Sequence, residues 1–236
     1  MKKVGILGGM GPEATVLLMQ KLINAIDAND DDQHIPLIVH QNTQVPSRIK
    51  AILDNTGPDP AKVLVRMAVD LEKMGCDLLA MPCNTAHHYY HDLSISVSIP
   101  VLNMVDLSLL ALTRKKQKKI GVLASPAVKK VGIFEPYFDR YGLEGFFSNN
   151  DGAMVNIIKE IKKGKLTSEV TEKFNFEVTE VIKAGCDGLL IACTELSLLS
   201  NQIKNIDFLD TIDCLTEEIV SLAIEGRESN GKQKGC

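Results

Sequence analysis

Short uninterrupted apolar runs alternate along this chain with longer stretches in which apolar residues recur every three to four positions. The short runs predict strands near 3–8, 36–41, 77–82, 100–104, 118–124, 143–148 and 187–193. The longer ones predict helices near 12–27, 60–74, 105–115, 127–141, 152–163, 167–184 and 212–225. Strand and helix in alternation imply βαβ units, and therefore mostly parallel sheets with helices on both faces, an α/β fold. The turn residues agree. Asn55, Gly57, Pro58 and Pro60 open the helix at 60, and Gly75 and Gly185 each follow a helical run, where a C-terminal glycine belongs.

The pattern repeats. Residues 75–85, GCDLLAMPCNT, resemble 185–194, GCDGLLIACT, at a constant offset of 110 positions. A second echo, KKVGIL from Lys2 and KKIGVL from Lys118, has a similar offset of 116. Two related halves are the simplest explanation, and 236 residues accommodate two compact domains of roughly 100 residues each. Each repeat reads as a helix end, a buried strand and then a cysteine. In open α/β sheets ligands bind beyond the carboxyl ends of strands, which is where Cys83 and Cys193 fall.

Composition narrows the partners. With 26 basic and 30 acidic residues the formal charge is −4, which gives no footprint for nucleic acid or an anionic membrane. The lysine-rich cluster from Arg114 to Lys119 reads as a solvated helix end. The apolar stretch Val4–Leu7 is too short for a signal peptide, and no run approaches the roughly 18 apolar residues of a membrane span. A cytoplasmic location is expected, with the six cysteines as thiols rather than disulfides. The tail from Glu228 to Cys236 is polar, holds two glycines and is predicted to fray.

Cys76 and Cys186, one residue past the glycines, read as packing residues. Cys83 and Cys193 differ, because each ends an apolar run and precedes small polar residues at the ligand edge. Two thiols in mirror positions suit stereoinversion, in which a base removes the α-proton from one face while an acid delivers a proton to the other. A thiol pKa of about 8.5 keeps both protonation states accessible. The glycine-rich turn Gly8-Gly9-Met10-Gly11-Pro12 matches neither the dinucleotide nor the Walker pattern, so no nucleotide cofactor is expected. It reads either as a tight structural turn or as an approach for a small anion. Arg48, after Pro46-Ser47, is placed to meet a carboxylate or to lie on the surface. Lys162 reads by pattern as a solvated helix end. His87, His88 and His91 with Cys83 could form a metal site, but no acidic residue lies between His87 and His91 as a metalloprotease requires, and Cys193 would be left unexplained, so no metal is expected.

These motifs together, GGMGP from Gly8, MPCNTAH from Met81 and Cys193-Thr194-Glu195, resemble the aspartate/glutamate racemase family, and within it the aspartate branch. The resemblance spans nearly the whole chain. It implies two pseudo-symmetric domains, 1–98 with 211–236 and 99–210, with the active site in the cleft between them. It also implies no cofactor, a homodimer, and an amino-acid substrate interconverted between enantiomers. By resemblance Cys83 and Cys193 are the acid/base pair. Met10, Gly11, Ser47, Asn84, Thr85, Thr194 and Glu195 are substrate-contacting positions, and Arg48 and Lys162 hold carboxylates. Two departures stand out: Ala192 where the family usually has glycine, and Ser125-Pro126-Ala127-Val128 in place of a threonine- and glycine-rich turn. Racemisation of glutamate or another amino acid, a binding protein of the same fold, and a metal-dependent hydrolase are the alternatives.

Overall fold

A computed structural model describes residues 1–148 and 150–231, with side chains described as far as residue 224. The first half runs β1 (Val4–Gly8), α1 (Pro12–Asn24), β2 (Leu37–Gln41), α2 (Pro60–Lys73), β3 (Leu78–Ala80), α3 (Tyr90–Ser96) and α4 (Met104–Arg114). The second runs β4 (Lys119–Ala124), α5 (Pro126–Lys130), α6 (Glu135–Tyr141), β5 (Glu144–Phe147), α7 (Asp151–Lys162), α8 (Ser168–Lys183), β6 (Gly188–Ala192), β7 (Phe208–Asp210) and α9 (Thr211–Gly231). Two parallel sheets result, in the orders β2-β1-β3 and β5-β4-β6-β7. The α/β alternation and the parallel sheets follow the pattern of apolar runs. β1 and β6 are buried at every position, as central strands covered on both faces must be.

The repeat is carried into the packing. Asp77 accepts a hydrogen bond from the Lys3 backbone N–H at 2.6 Å, and Asp187 accepts one from the Lys119 N–H at 2.9 Å. A methyl group on Gly5 would lie 2.6 Å from the Leu79 side chain and 3.2 Å from Leu71, and one on Gly121 would lie 2.0 Å from Val181. Leu71 of α2 and Val181 of α8 are themselves repeat equivalents, so in each half a bare strand glycine lets that helix sit close to the sheet. Gly75 and Gly185 adopt φ of +81° and +77° just past α2 and α8, the left-handed turn that ends a helix at low cost only with glycine.

The two halves exchange their last helices. α4 buries Val105, Leu109 and Leu112 in one cluster with Ile120, Val122 and Leu190 of the second sheet. α9 buries Ile212, Leu215, Ile219 and Ala223 with Val4, Ile6, Leu78 and Ala80 of the first.

Some elements differ from the sequence expectation. The strand expected at 100–104 is reduced to a bridge between Val101 and Leu79. Pro100 cannot donate to a ladder, and Asn103 already caps α4 by accepting from the Val105 and Asp106 N–H groups. The helix expected at 127–141 is broken into α5 and α6, because Gly132 takes a left-handed φ of +62° and Pro136 sits in the first turn of α6. β7 was too short to stand out. So were a π-helical turn at Lys50–Asp54 and the 3-10 turns Thr85–Tyr89 and Leu196–Gln202 after the two cysteines. Of the tail predicted to fray, residues 228–231 continue α9, since extending a formed helix needs no new nucleus. Residues 232–236 lie outside the described residues. Among the described residues no helix is long and apolar enough to cross a membrane.

Candidate active site

The carboxyl ends of both sheets open on one cleft of about 460 Å³, partly open to solvent. Cys83 follows β3 and Cys193 follows β6, and both line it while almost buried, at 7% and 9% exposure. Met10 enters from the turn after β1, Ser47 and Arg48 from the loop after β2, and Lys162 from the end of α7. Asn84, Thr85, Thr194 and Glu195 enter beside the cysteines. Gly11 does not line the cleft, although a side chain there would stand 3.4 Å from a Glu195 oxygen.

Charge is distributed unevenly. The Arg48 guanidinium donates to the carbonyls of Val45 at 3.2 Å, Pro46 at 3.0 Å and Met10 at 3.4 Å. Its Nε is buried with no partner, and among the described residues it has no carboxylate within salt-bridge reach. Neutral carbonyls orient this cation without cancelling its charge, the arrangement that suits an incoming carboxylate. Lys162 pairs with Glu195 at 3.0 Å. The helix-end reading therefore holds for its position in the chain, but its ammonium points at the site. Burial pulls the Lys162 ammonium down, and the Glu195 carboxylate, with Cys193 and Cys83, outweighs it and holds the group above the usual lysine range.

Glu195 is occupied by other side chains of the protein. It accepts from the Cys193 thiol at 3.0 Å through Oε2 and faces Lys162 through Oε1. Burial pushes Cys193 well above the ordinary thiol range, and the adjacent Glu195 charge and hydrogen bond push it further. Asn84 donates through Nδ2 to the Thr211 hydroxyl at 2.9 Å, which leaves its buried Oδ1 without a partner. Ser47 turns its hydroxyl to its own loop, accepting from the Lys50 N–H at 3.3 Å.

His87 is a structural residue. Its Nε2 accepts the Met104 N–H at 3.0 Å, so the ring's proton sits on Nδ1 and is given to the Cys83 carbonyl at 2.9 Å. Burial lowers its pKa to about 4. With both nitrogens in use it has none to offer a metal, and His91 is exposed on α3.

Ile49 and Ile158, not singled out from sequence, also line the cleft, as do Ser125 and Ala192, which stand where the chain departs from the family pattern. The turn after β4, although it departs from a threonine- and glycine-rich pattern, still brings a hydroxyl to the cleft. The Ser125 Oγ lies in the cleft wall, 3.1 Å from the Thr85 Oγ of the other half. The repeat offset of 116 places Ser125 opposite Gly9, a signal that could have found it. Ile158 precedes Lys162 by one helical turn and shares its face.

Residues 7–219 match the Asp/Glu/Hydantoin racemase family. The chain belongs to this family. Among solved structures of family members, the aspartate racemase of Picrophilus torridus is 28% identical, with a TM-score of 0.82 over 96% of this chain and 98% of that one. The broad specificity amino-acid racemase RacX of Bacillus subtilis is 26% identical over 92% of this chain and 96% of its own. The glutamate racemase of Aquifex pyrophilus is 28% identical over 65% of this chain, which spans 59% of that relative's length.

Proposed function

We propose that the protein racemises aspartate without a cofactor, Cys83 and Cys193 exchanging protons with the α-carbon from opposite faces. The observation that carries this is the delivery of two repeat-equivalent thiols, from the ends of two sheets, into one cleft that also holds an unneutralised guanidinium. In this reading Arg48 binds the α-carboxylate. It thereby stabilises the negative charge that spreads onto that group when the α-proton leaves. The buried Oδ1 of Asn84 is free to accept from the substrate ammonium. One sulfur takes the α-proton as a thiolate and becomes a thiol, and the other gives up its proton to the opposite face and becomes a thiolate. A single base would return the proton to the side it came from.

Similarity to the Picrophilus aspartate racemase supports aspartate, with Lys162 turning one of its three donors to the second carboxylate. A broader reading is favoured by a different observation. Lys162 is already paired with Glu195, and Ile49, Ile158 and Met10 give the cleft apolar wall, which would admit amino acids with one carboxylate. Incubation of the protein with single enantiomers in deuterated water, without added cofactor, separates these readings. Deuterium should enter the α-carbon of aspartate and the opposite enantiomer should accumulate. Faster exchange of glutamate or of neutral amino acids would move the assignment to the broader reading, and no exchange with any amino acid would reject both. Cys83→Ser and Cys193→Ser should each lower turnover by about 10²–10⁴-fold, the worth of a general acid or base.

A further inference from the structure

We infer that Glu195 fixes the resting proton of this site on Cys193, so that the free protein waits with Cys193 as the acid and Cys83 as the group that takes the α-proton. The inference rests on the two-thiol reading and adds an asymmetry to it. A carboxylate only accepts hydrogen bonds, so the 3.0 Å contact between the Cys193 sulfur and Glu195 Oε2 requires that the sulfur keep its hydrogen. If that proton left, two negative charges would face each other at the same distance.

The repeat supplies an internal control. The position two residues after Cys83 is Thr85, a neutral hydroxyl turned across the cleft to Ser125 at 3.1 Å. The two sulfurs are similarly shielded from solvent, at 7% and 9% exposure. Burial raises Cys193 first, and the carboxylate two residues on, which the Cys83 segment lacks, adds its charge and hydrogen bond in the same direction. The charged and titratable groups facing Cys193 are Glu195 from its own segment, Lys162 from α7, and Cys83 and Arg48 from the opposite half. Lys162, 3.0 Å from the other oxygen of Glu195, balances that carboxylate only in part, and the net push on Cys193 remains toward the thiol.

The proton count follows. In the resting state Cys83 takes the substrate α-proton and forms an S–H bond as the Cα–H bond breaks. The electron pair is held on the carboxylate side, then takes the Cys193 proton, and the Cys193 S–H bond breaks. The protein is left with its proton on Cys83, and returns to rest by losing that proton to water and regaining one on Cys193. One enantiomer meets a site ready for it, and the other must await the redistribution that Glu195 disfavours. Glu195 is thus a positioning residue acting through Cys193.

The test reads the thiols and not turnover, so its failure is distinguishable from failure of the racemase reading. The purified protein is treated with iodoacetamide between pH 6 and 10, and modification at Cys83 and Cys193 is followed by peptide mass mapping. Cys83 should be modified first in the unmutated protein. Glu195→Gln should move the Cys193 profile to lower pH by at least about one unit, a tenfold change in rate where the thiol predominates. Lys162→Met should move it the other way, whereas a general loosening of the fold would accelerate modification in both variants. Equal rates at the two cysteines in the unmutated protein, or a Cys193 profile unmoved by Glu195→Gln, would overturn the inference.

Discussion

Asp210 ends β7 with its carboxyl buried, at 3% exposure, and its pKa is raised to about 6 by that burial, against a hydrogen bond from the Ile212 N–H. Between about pH 4 and 6 the native protein therefore holds a proton that the unfolded chain has released. Stability from this group falls as pH rises through that window, and the cost of the buried charge is complete above it. His87 works in the opposite sense. Its lowered pKa of about 4 means that the unfolded chain takes up the proton first, so its contribution is present above about pH 6.5 and is lost as pH falls toward 4. Asp210→Asn keeps an acceptor for Ile212 and removes the charge. It should stabilise the protein by about 1–3 kcal/mol at pH 7.5, with the gain gone near pH 4, as read from urea midpoints at the two pH values. A difference independent of pH would mean that the carboxyl is not held protonated by its surroundings.

At the scale of elements, the first residue of α9 reaches from the second half into the site of the first. The Thr211 hydroxyl, itself fully buried, accepts from Asn84 and so fixes which end of that amide is left free. Thr211→Val should raise KM for the amino acid about tenfold, the worth of roughly one hydrogen bond to a charged group, while changing kcat little. Thr211→Ser should restore KM, and a Val variant with unchanged KM would remove Asn84 orientation from the account. This link was not legible in the sequence, because it joins residues 127 positions apart and neither belongs to a motif the other completes. The two cysteines were legible for the contrary reason, since the repeat displays each beside its counterpart. Arg48 and Lys162 stood between. Their spacing alone is that of ordinary surface cations, and only the resemblance brought them to the cleft. Ile49 and Ile158 carry no chemical signature, so only coordinates could show them in its wall, whereas Ala192 already stood out as a departure beside Cys193. The alternating pattern announced parallel sheets, but an amphipathic helix does not name the sheet it will cover, and the partition of α4 and α9 between the halves was left to the domain bounds that the resemblance implies.

The molecule as a whole takes its cooperativity from that exchange. If the chain is divided after residue 116, α4 travels with the first fragment while the apolar surface it covers travels with the second, and α9 is misassigned in the same way. The separate fragments should be aggregation-prone, because each bears an uncovered sheet and an unpaired apolar helix. Expressed together they should recover a single complex, detectable by co-purification. Fragments that fold independently, with sharp urea transitions of their own, would contradict the packing.

Because each sheet is roofed by a helix borrowed from its neighbour, damage cannot be confined to one side. A lesion deep in the first sheet should loosen α9, whose first residue steadies Asn84, and so reach the candidate site from beneath. Substitutions far from the sulfurs, at Leu215 or Leu109 for instance, should therefore blunt activity and lower the melting temperature together.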